Sequence, residues 1–202
     1  MESMFDYYFF YKPFQVLSQF SEAPGKKTLK DFFSNIKKEV YPVGRLDYDS
    51  EGLLLLTNDK KLNHLLLNPA FMHEREYWVQ VEGIPDAAAL HQLQNNIVIR
   101  INGENYKTKK AHAAIMNHPP EIPKRNPPIR YRKNIPVSWL SLTLCEGKNR
   151  QVRKMTAAAG YPTLRLIRHR IGSFTTAGMQ PGDIIPIRRE IKQNLFHKKF
   201  LL

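Results

Sequence analysis

Val43-Gly44-Arg45-Leu46-Asp47-Tyr48-Asp49-Ser50-Glu51-Gly52 runs straight into Leu53-Leu54-Leu55-Leu56-Thr57-Asn58-Asp59. A dense cluster of charge thus meets an apolar run that folding must bury. Glycines at 44 and 52 bracket the cluster and suit a tight backbone path, because glycine alone reaches positive φ without steric cost. The leucine run is too short for periodicity to separate helix from strand, but the flanking glycine and Asn58-Asp59 favour a buried strand. Carboxylates held at the mouth of such a strand have the arrangement of a site.

The same acids invite a calcium reading. Asp47, Asp49 and Glu51 with Gly52 match the first, third, fifth and sixth positions of an EF-hand loop. The twelfth position is Asn58, where a bidentate Glu is required, and no amphipathic helix precedes the loop. A two-metal nuclease would need carboxylates converging from several elements, and Asp59 is better explained as a helix cap. No metal is therefore expected. An acidic turn neutralised by Arg45 accounts for Asp49 and Glu51 but not for the whole string.

Around this stretch the chain has 202 residues, room for one catalytic unit built in two lobes. Hydrophobic content of 42% and charged content of 24% are those of a globular protein. Lys and Arg total 31 against 18 acids, a formal charge of +13, which predicts attraction to a polyanion. Cys145 is the single cysteine, which excludes an intramolecular disulfide and a cysteine-rich zinc site. It falls in the apolar run Trp139 to Cys145 and reads as a buried strand residue. The N-terminus carries acids where a signal peptide needs bases, and no apolar stretch is long enough for a bilayer, so a cytoplasmic location without membrane contact is expected.

Along the chain, an aromatic strand over 5–17 is interrupted at Lys12-Pro13, and a short helix is expected over 28–33. Asn58 or Asp59 caps a helix reaching about Leu67. Arg75 to Glu82 alternates with period two, placing Tyr77, Val79 and Val81 on one face. Asp86 caps a helix ending near Gln94, and a strand over 97–101 turns at Asn102-Gly103. Six of the 14 prolines lie in 117–136, with Lys124, Arg125, Arg130, Arg132 and Lys133 among them, marking a basic loop. A strand 139–145, a helix 149–159 stopped by Gly160, and strands 163–170 and 184–187 complete the chain. Strands outnumber helices without regular alternation, which predicts an α+β fold.

At about 100° per residue, Arg150, Arg153 and Lys154 share one face of the 149–159 helix, and Val152, Met155 and Ala159 the opposite one. Lys148 precedes it; Arg165, Arg168 and Arg170 follow. A solvated face is the ordinary explanation of such a stripe. The absence of acids from 147 to 182, the second basic segment and the overall excess favour phosphate binding instead.

Gly44-Arg45-Leu46-Asp47-x-x-Ser50-Glu51-Gly52-Leu53-Leu54-Leu55-Leu56-Thr57 resembles the signature of the RsuA-type ribosomal RNA pseudouridine synthases. Lys12-Pro13-Phe14-x-Val16-Leu17 is similar to that family's N-terminal motif, and Glu76-Tyr77-Trp78-Val79-Gln80-Val81-Glu82-Gly83 to its tyrosine motif. Pro127-Pro128-Ile129-Arg130, Glu146-Gly147-Lys148-Asn149-Arg150-Gln151-Val152-Arg153-Lys154-Met155 and Pro162 to Arg168 are most like the RluE branch, the large-subunit synthases E, which modify 23S rRNA. Arg75 stands where the family commonly has Lys, and 95–109 fits its pattern less well.

The resemblance implies a pseudouridine synthase fold: a mixed, mainly antiparallel sheet in two lobes, flanking helices and a central RNA-binding cleft. It implies one catalytic domain over 1–202 without the S4-like N-terminal domain of many relatives. Asp47 becomes the nucleophile, Tyr77 the base platform, and Arg153 the guanidinium that keeps the carboxylate ionised, with Arg150 second. Arg45, Lys148, Arg150, Lys154, Arg165 and Arg168 become RNA contacts. No cofactor and no obligatory protein partner is implied; the partner is 23S rRNA, free or in a pre-ribosomal particle. The rival is a non-catalytic RNA-binding ribosome-assembly factor using the same basic surface.

Overall fold

Tyr7–Lys12 forms strand β1 because five consecutive aromatic residues favour a pleated surface and Pro13 ends the ladder. The computed structural model describes residues 5–129 and 132–187. They divide into two units, the first taking residues up to Phe71 and from Arg168 onward, the second Met72–Ile167. In the first, β2 (Val16–Leu17) pairs in parallel with β3 (Lys27–Thr28). Thr28 caps a 3-10 turn, Leu29–Asp31, through a reciprocal bond with Asp31. The expected helix over 28–33 is therefore one tight turn.

Strand β4 (Tyr41–Pro42) leads to the charged loop, and β5 (Glu51–Thr57) follows with all seven residues buried. The strand begins at Glu51, two residues before the leucine run, because β1 pairs along its whole length from Lys12↔Gly52 to Tyr7↔Thr57. Helix α1 (Lys60–Leu67) is capped by Asp59, whose Oδ1 accepts from the Leu62 amide at 3.0 Å.

In the second unit, β6 (Arg75–Glu82) buries Tyr77, Val79 and Val81 on one face, as its alternation predicts. Asp86 caps α2 (Ala87–Gln94), and β7 (Val98–Ile101) turns at Asn102-Gly103 into β8 (Glu104–Lys107). Both turn residues have positive φ, as a two-residue hairpin requires. Strands β9 (His112–Ile115) and β10 (Val137–Leu144) pair antiparallel, with the proline-rich loop between them. Strands β8 and β9 carry no signal of their own: the first is polar and the second contains two alanines, so pairing alone makes them strands. Helix α3 (Gln151–Ala158) is shorter than its sequence pattern at both ends. Strand β11 (Thr163–Ile171) passes from the second unit into the first at Arg168. Strands β12 (Phe174–Thr175) and β13 (Ile184–Pro186) complete the first unit.

Within the first unit β13, β1, β5 and the end of β11 are successive neighbours, with β4 also on β5 and β12 on β11. Within the second unit the order is the start of β11, then β6, β10 and β9. The pairs of β1 with β5 and β13, and of β10 with β6 and β9, are antiparallel. The fold is thus mixed and mainly antiparallel. Leu54 and Leu56 pack with Phe10, Leu29, Phe33, Val40 and Leu46 in one core. Tyr77, Val79 and Val81 pack with Leu142, Val152 and Met155 in the other.

Candidate active site and RNA-contacting residues

In the first unit the loop carrying Asp47 is fixed by backbone bonds on both sides. The Val43 amide donates to the Leu55 carbonyl at 2.7 Å, the Gln15 amide to the Tyr48 carbonyl at 2.8 Å, and the Ser50 amide to the Asp47 carbonyl at 3.0 Å. Buried Ser18 grips Leu46 twice, accepting from its amide at 3.1 Å and donating to its carbonyl at 2.8 Å. Leu46 fills the core directly before Asp47. The carboxylate of Asp47 is consequently presented half-buried from a clamped turn, and Arg45 is exposed beside it.

Gly52 explains why β5 can begin beneath that turn. Its φ is +105°, and a Cβ there would lie 2.4 Å from the Arg168 carbonyl oxygen. No other residue fits. At Gly44, φ is +69° and a Cβ would meet Leu67 at 2.9 Å. The two glycines that bracket the charged stretch therefore have separate reasons, one a backbone-to-backbone approach and one a turn under α1.

Lys12 is a residue to which sequence reasoning gave no role of its own; it served there as part of the break at Pro13 and of the N-terminal motif. Its side chain is wholly buried at the end of β1, opposite Gly52. The Nζ donates to the carbonyls of Pro13 at 2.9 Å and Val16 at 2.8 Å. Burial pulls its pKa down to about 7, a shift that Arg168 reinforces and that the charges of Glu51, Asp49 and Asp47 oppose. Both hydrogen-bond partners are acceptors, and a neutral amine still has two N–H groups for them. The available signal was a lysine closing an aromatic strand, directly before a proline.

Arg168 is 4% exposed, and its Nε donates to the Leu53 carbonyl at 2.7 Å. Arg165, in the second unit, is 6% exposed and donates to the Pro123 carbonyl at 2.9 Å. The expectation of RNA contacts at these two positions meets guanidinium groups turned into the protein. Each braces a backbone segment, Arg168 the start of β5 and Arg165 the proline-rich loop.

Tyr77 lies in the second unit with Lys148, Arg150, Arg153 and Lys154. The tyrosine is 9% exposed and packs in the core cluster with Val152 and Met155 of α3. The helix buries Gln151, Val152, Met155 and Thr156 and leaves Arg153 and Lys154 half-buried. The Arg153 guanidinium makes a long, 3.5 Å bond to the Thr163 carbonyl. Arg150 precedes the helix as its N-terminal cap residue, exposed and with φ +52°, instead of lying within it. Arg130 lies outside the described residues. Cys145 follows β10 instead of lying within it and is half-buried; burial raises its thiol pKa. Among the described residues no group of acids, histidines and cysteines could hold a metal ion.

A second missed residue is Glu146, 3% exposed. It accepts from the Tyr106 hydroxyl at 2.6 Å, the Lys109 amide at 2.9 Å and the Gln151 side-chain amide at 2.6 Å. Gln151 also accepts from the Lys148 amide at 2.9 Å, and the Lys148 ammonium sits 4.9 Å from the centre of the Tyr106 ring. The hydrogen bond to Glu146 pushes the Tyr106 pKa up to about 12, with burial adding to it. One carboxylate thus ties the β7–β8 hairpin to the turn that presents Lys148 and Arg150.

A half-buried carboxylate on a braced turn, with a basic helix elsewhere in a mixed antiparallel fold, is an arrangement suited to an enzyme that acts on nucleic acid. The architecture matches that of a pseudouridylate synthase crystal structure with a TM-score of 0.76, at 24% identity over 95% of this chain and 74% of that one. The chain belongs to the RNA pseudouridylate synthase family, whose model matches residues 6–158. It is 47% identical to the ribosomal large subunit pseudouridine synthase E of Vibrio vulnificus, over 86% of this chain and 71% of that protein. It is 46% identical to the protein of the same description from Xanthomonas campestris, over 85% of this chain and 90% of that one. The chain is accordingly an RNA-modifying isomerase.

Proposed function

We propose that this protein converts a specific uridine of 23S ribosomal RNA to pseudouridine, acting as a single catalytic domain. The similarity to two large-subunit synthases at 46% and 47% identity carries the choice of substrate. The bond from the ribose C1′ to N1 breaks, the base turns, and C1′ joins C5; C5 loses a proton and N1 gains one, so atoms balance without an external reactant. Asp47 is the nucleophile, directed at C1′ or at C6 of the base, and the clamped turn supports that role by holding the carboxylate in place. Tyr77 stacks on the base once it leaves its helix, and Arg153 supplies positive charge to the reaction. Lys148, Arg150, Lys154 and Arg45 hold phosphates, which position RNA without reading its sequence. The substrate is the RNA itself or a partly assembled particle, and the reaction takes place in the cytoplasm.

The test is pseudouridine formation by the purified protein on protein-free and on partly assembled 23S rRNA. Wild-type protein is expected to form one pseudouridine per molecule at a fixed position, and Asp47→Asn to lose kcat by on the order of 10^4-fold. An active Asp47→Asn protein, or a wild type inactive on both substrates, would sink the proposal. The assembly-factor alternative predicts that Asp47→Asn keeps every function.

A further inference from the structure

A recess of about 150 Å³ opens in the second unit, lined by Gln80, Glu82, Ile129, Arg132, Ile135, Val137 and Leu164. It lies on the face of β6 opposite Tyr77, since Gln80 and Glu82 alternate with the core residues Val79 and Val81. Its volume is half or less of the ~300 Å³ at which pockets for drug-sized ligands begin. A single flat ring is the size of guest it suits. Its walls are branched aliphatic side chains, of which Val137 is 50% and Ile135 38% exposed. Its polar atoms are mixed in a way that a purely apolar guest would not use.

Glu82 offers a carboxylate and is joined to the Arg132 guanidinium at 2.9 Å. The Gln80 amide supplies both a donor and an acceptor. The rim is fixed: the Gly83 amide donates to the Pro136 carbonyl and the Ser138 hydroxyl to the Gly83 carbonyl, both at 2.7 Å. The Ile135 amide bonds to the Arg132 carbonyl at 3.3 Å, and Arg165 holds the other end of the loop at Pro123. Exposed Lys124 and Lys133 lie on the same loop as Ile129 and Ile135.

We propose that this recess binds one unpaired nucleobase of the substrate RNA, distinct from the uridine that reacts. The inference rests on the reading of the protein as an RNA-modifying enzyme. A uridine pulled from its stack leaves its neighbours unstacked, and proteins recognise such bases by their faces and edges together. Aliphatic walls and the plane of Arg132 take the faces; Gln80 and Glu82 take the edge; the loop lysines take the flanking phosphates. Selection of one uridine among many then comes partly from a neighbouring base read here.

The experiment titrates isotope-labelled full-length protein with uridine, cytidine, adenosine and guanosine 5′-monophosphates and with ribose 5-phosphate, following backbone amide resonances. At least one nucleotide is expected to move the signals of Glu82, Val137 and Leu164 while ribose 5-phosphate leaves them in place. Four inert nucleotides, or equal shifts with ribose 5-phosphate, overturn the proposal. Val137→Arg fills the recess and should raise KM for 23S rRNA about tenfold with kcat held within twofold, as loss of one base contact implies. Ile135→Arg serves the same purpose should Val137→Arg lose its circular dichroism. An unchanged KM in a folded variant also overturns it. A wild type that forms no pseudouridine defeats the catalytic reading alone, since the nucleotide titration still decides the recess.

Discussion

Lys12 carries the sharpest residue-scale consequence because its ammonium sits where no water reaches it. Its pKa is about 7 in the folded protein against the ordinary lysine value of 10.5. Between these values the unfolded chain binds more protons than the folded one, so stability rises with pH through that window and is flat, for this group, below it. Each pH unit contributes up to roughly 1.4 kcal/mol. Urea unfolding at pH 7 and pH 9.5 should therefore show wild type gaining a few kcal/mol over that interval relative to Lys12→Met. Parallel curves for the two proteins would contradict the assigned burial. Arg168 presents the complementary case of a buried charge held by a backbone acceptor. Arg168→Ala should cost about 2–3 kcal/mol in the same assay by stranding the Leu53 carbonyl, as expected of a hydrogen bond to a charged group.

At the scale of elements, β5 and the Glu146 junction decide how the candidate groups are presented. Gly52→Ala combines a positive φ with a Cβ forced against the Arg168 backbone, so a loss of roughly 3 kcal/mol or more is expected, read as a lowered denaturation midpoint. The Glu146 carboxylate joins elements that share no pattern in sequence. Glu146→Gln should let the Tyr106 hydroxyl titrate well below its present pKa of about 12 and speed amide exchange in β7 and β8. Unaltered exchange in that hairpin would mean that the junction does not hold it. Most of the elements themselves were legible: Asp59 and Asp86 as caps, the alternation of β6, and the two-residue turn at Asn102-Gly103 follow from local chemistry. Strands β8 and β9 were not, because a polar segment and an alanine-rich one become strands only when a partner supplies the hydrogen bonds.

Over the whole molecule the charge of +13 governs association with RNA. Affinity for 23S rRNA should fall steeply and linearly on logarithmic axes with salt, through release of counterions from the phosphates. Lys148→Ala and Lys154→Ala should each weaken binding to any RNA and reduce the magnitude of that slope by about one, measured by filter binding across a salt series. Arg165→Ala should act differently. Its guanidinium is bonded inside the protein to the Pro123 carbonyl, so the salt slope should stay as in wild type while the proline-rich loop loosens.

The sequence by itself determined the family, the mixed strand-rich architecture, the helix caps and the charged stretch that ends in a buried strand. Those features are written in contiguous residues, where spacing, turn chemistry and hydrophobic run length act over a few positions. Only the tertiary structure decided which charges face inward. Arg168 meets its acceptor 115 positions away in the chain, Arg165 at 42 and Glu146 reaches Tyr106 at 40, and Lys12 is enclosed by everything packed over β1. A cation's desolvation and its partners depend on segments distant in the chain, and no local pattern separates a buried arginine from one that meets a phosphate.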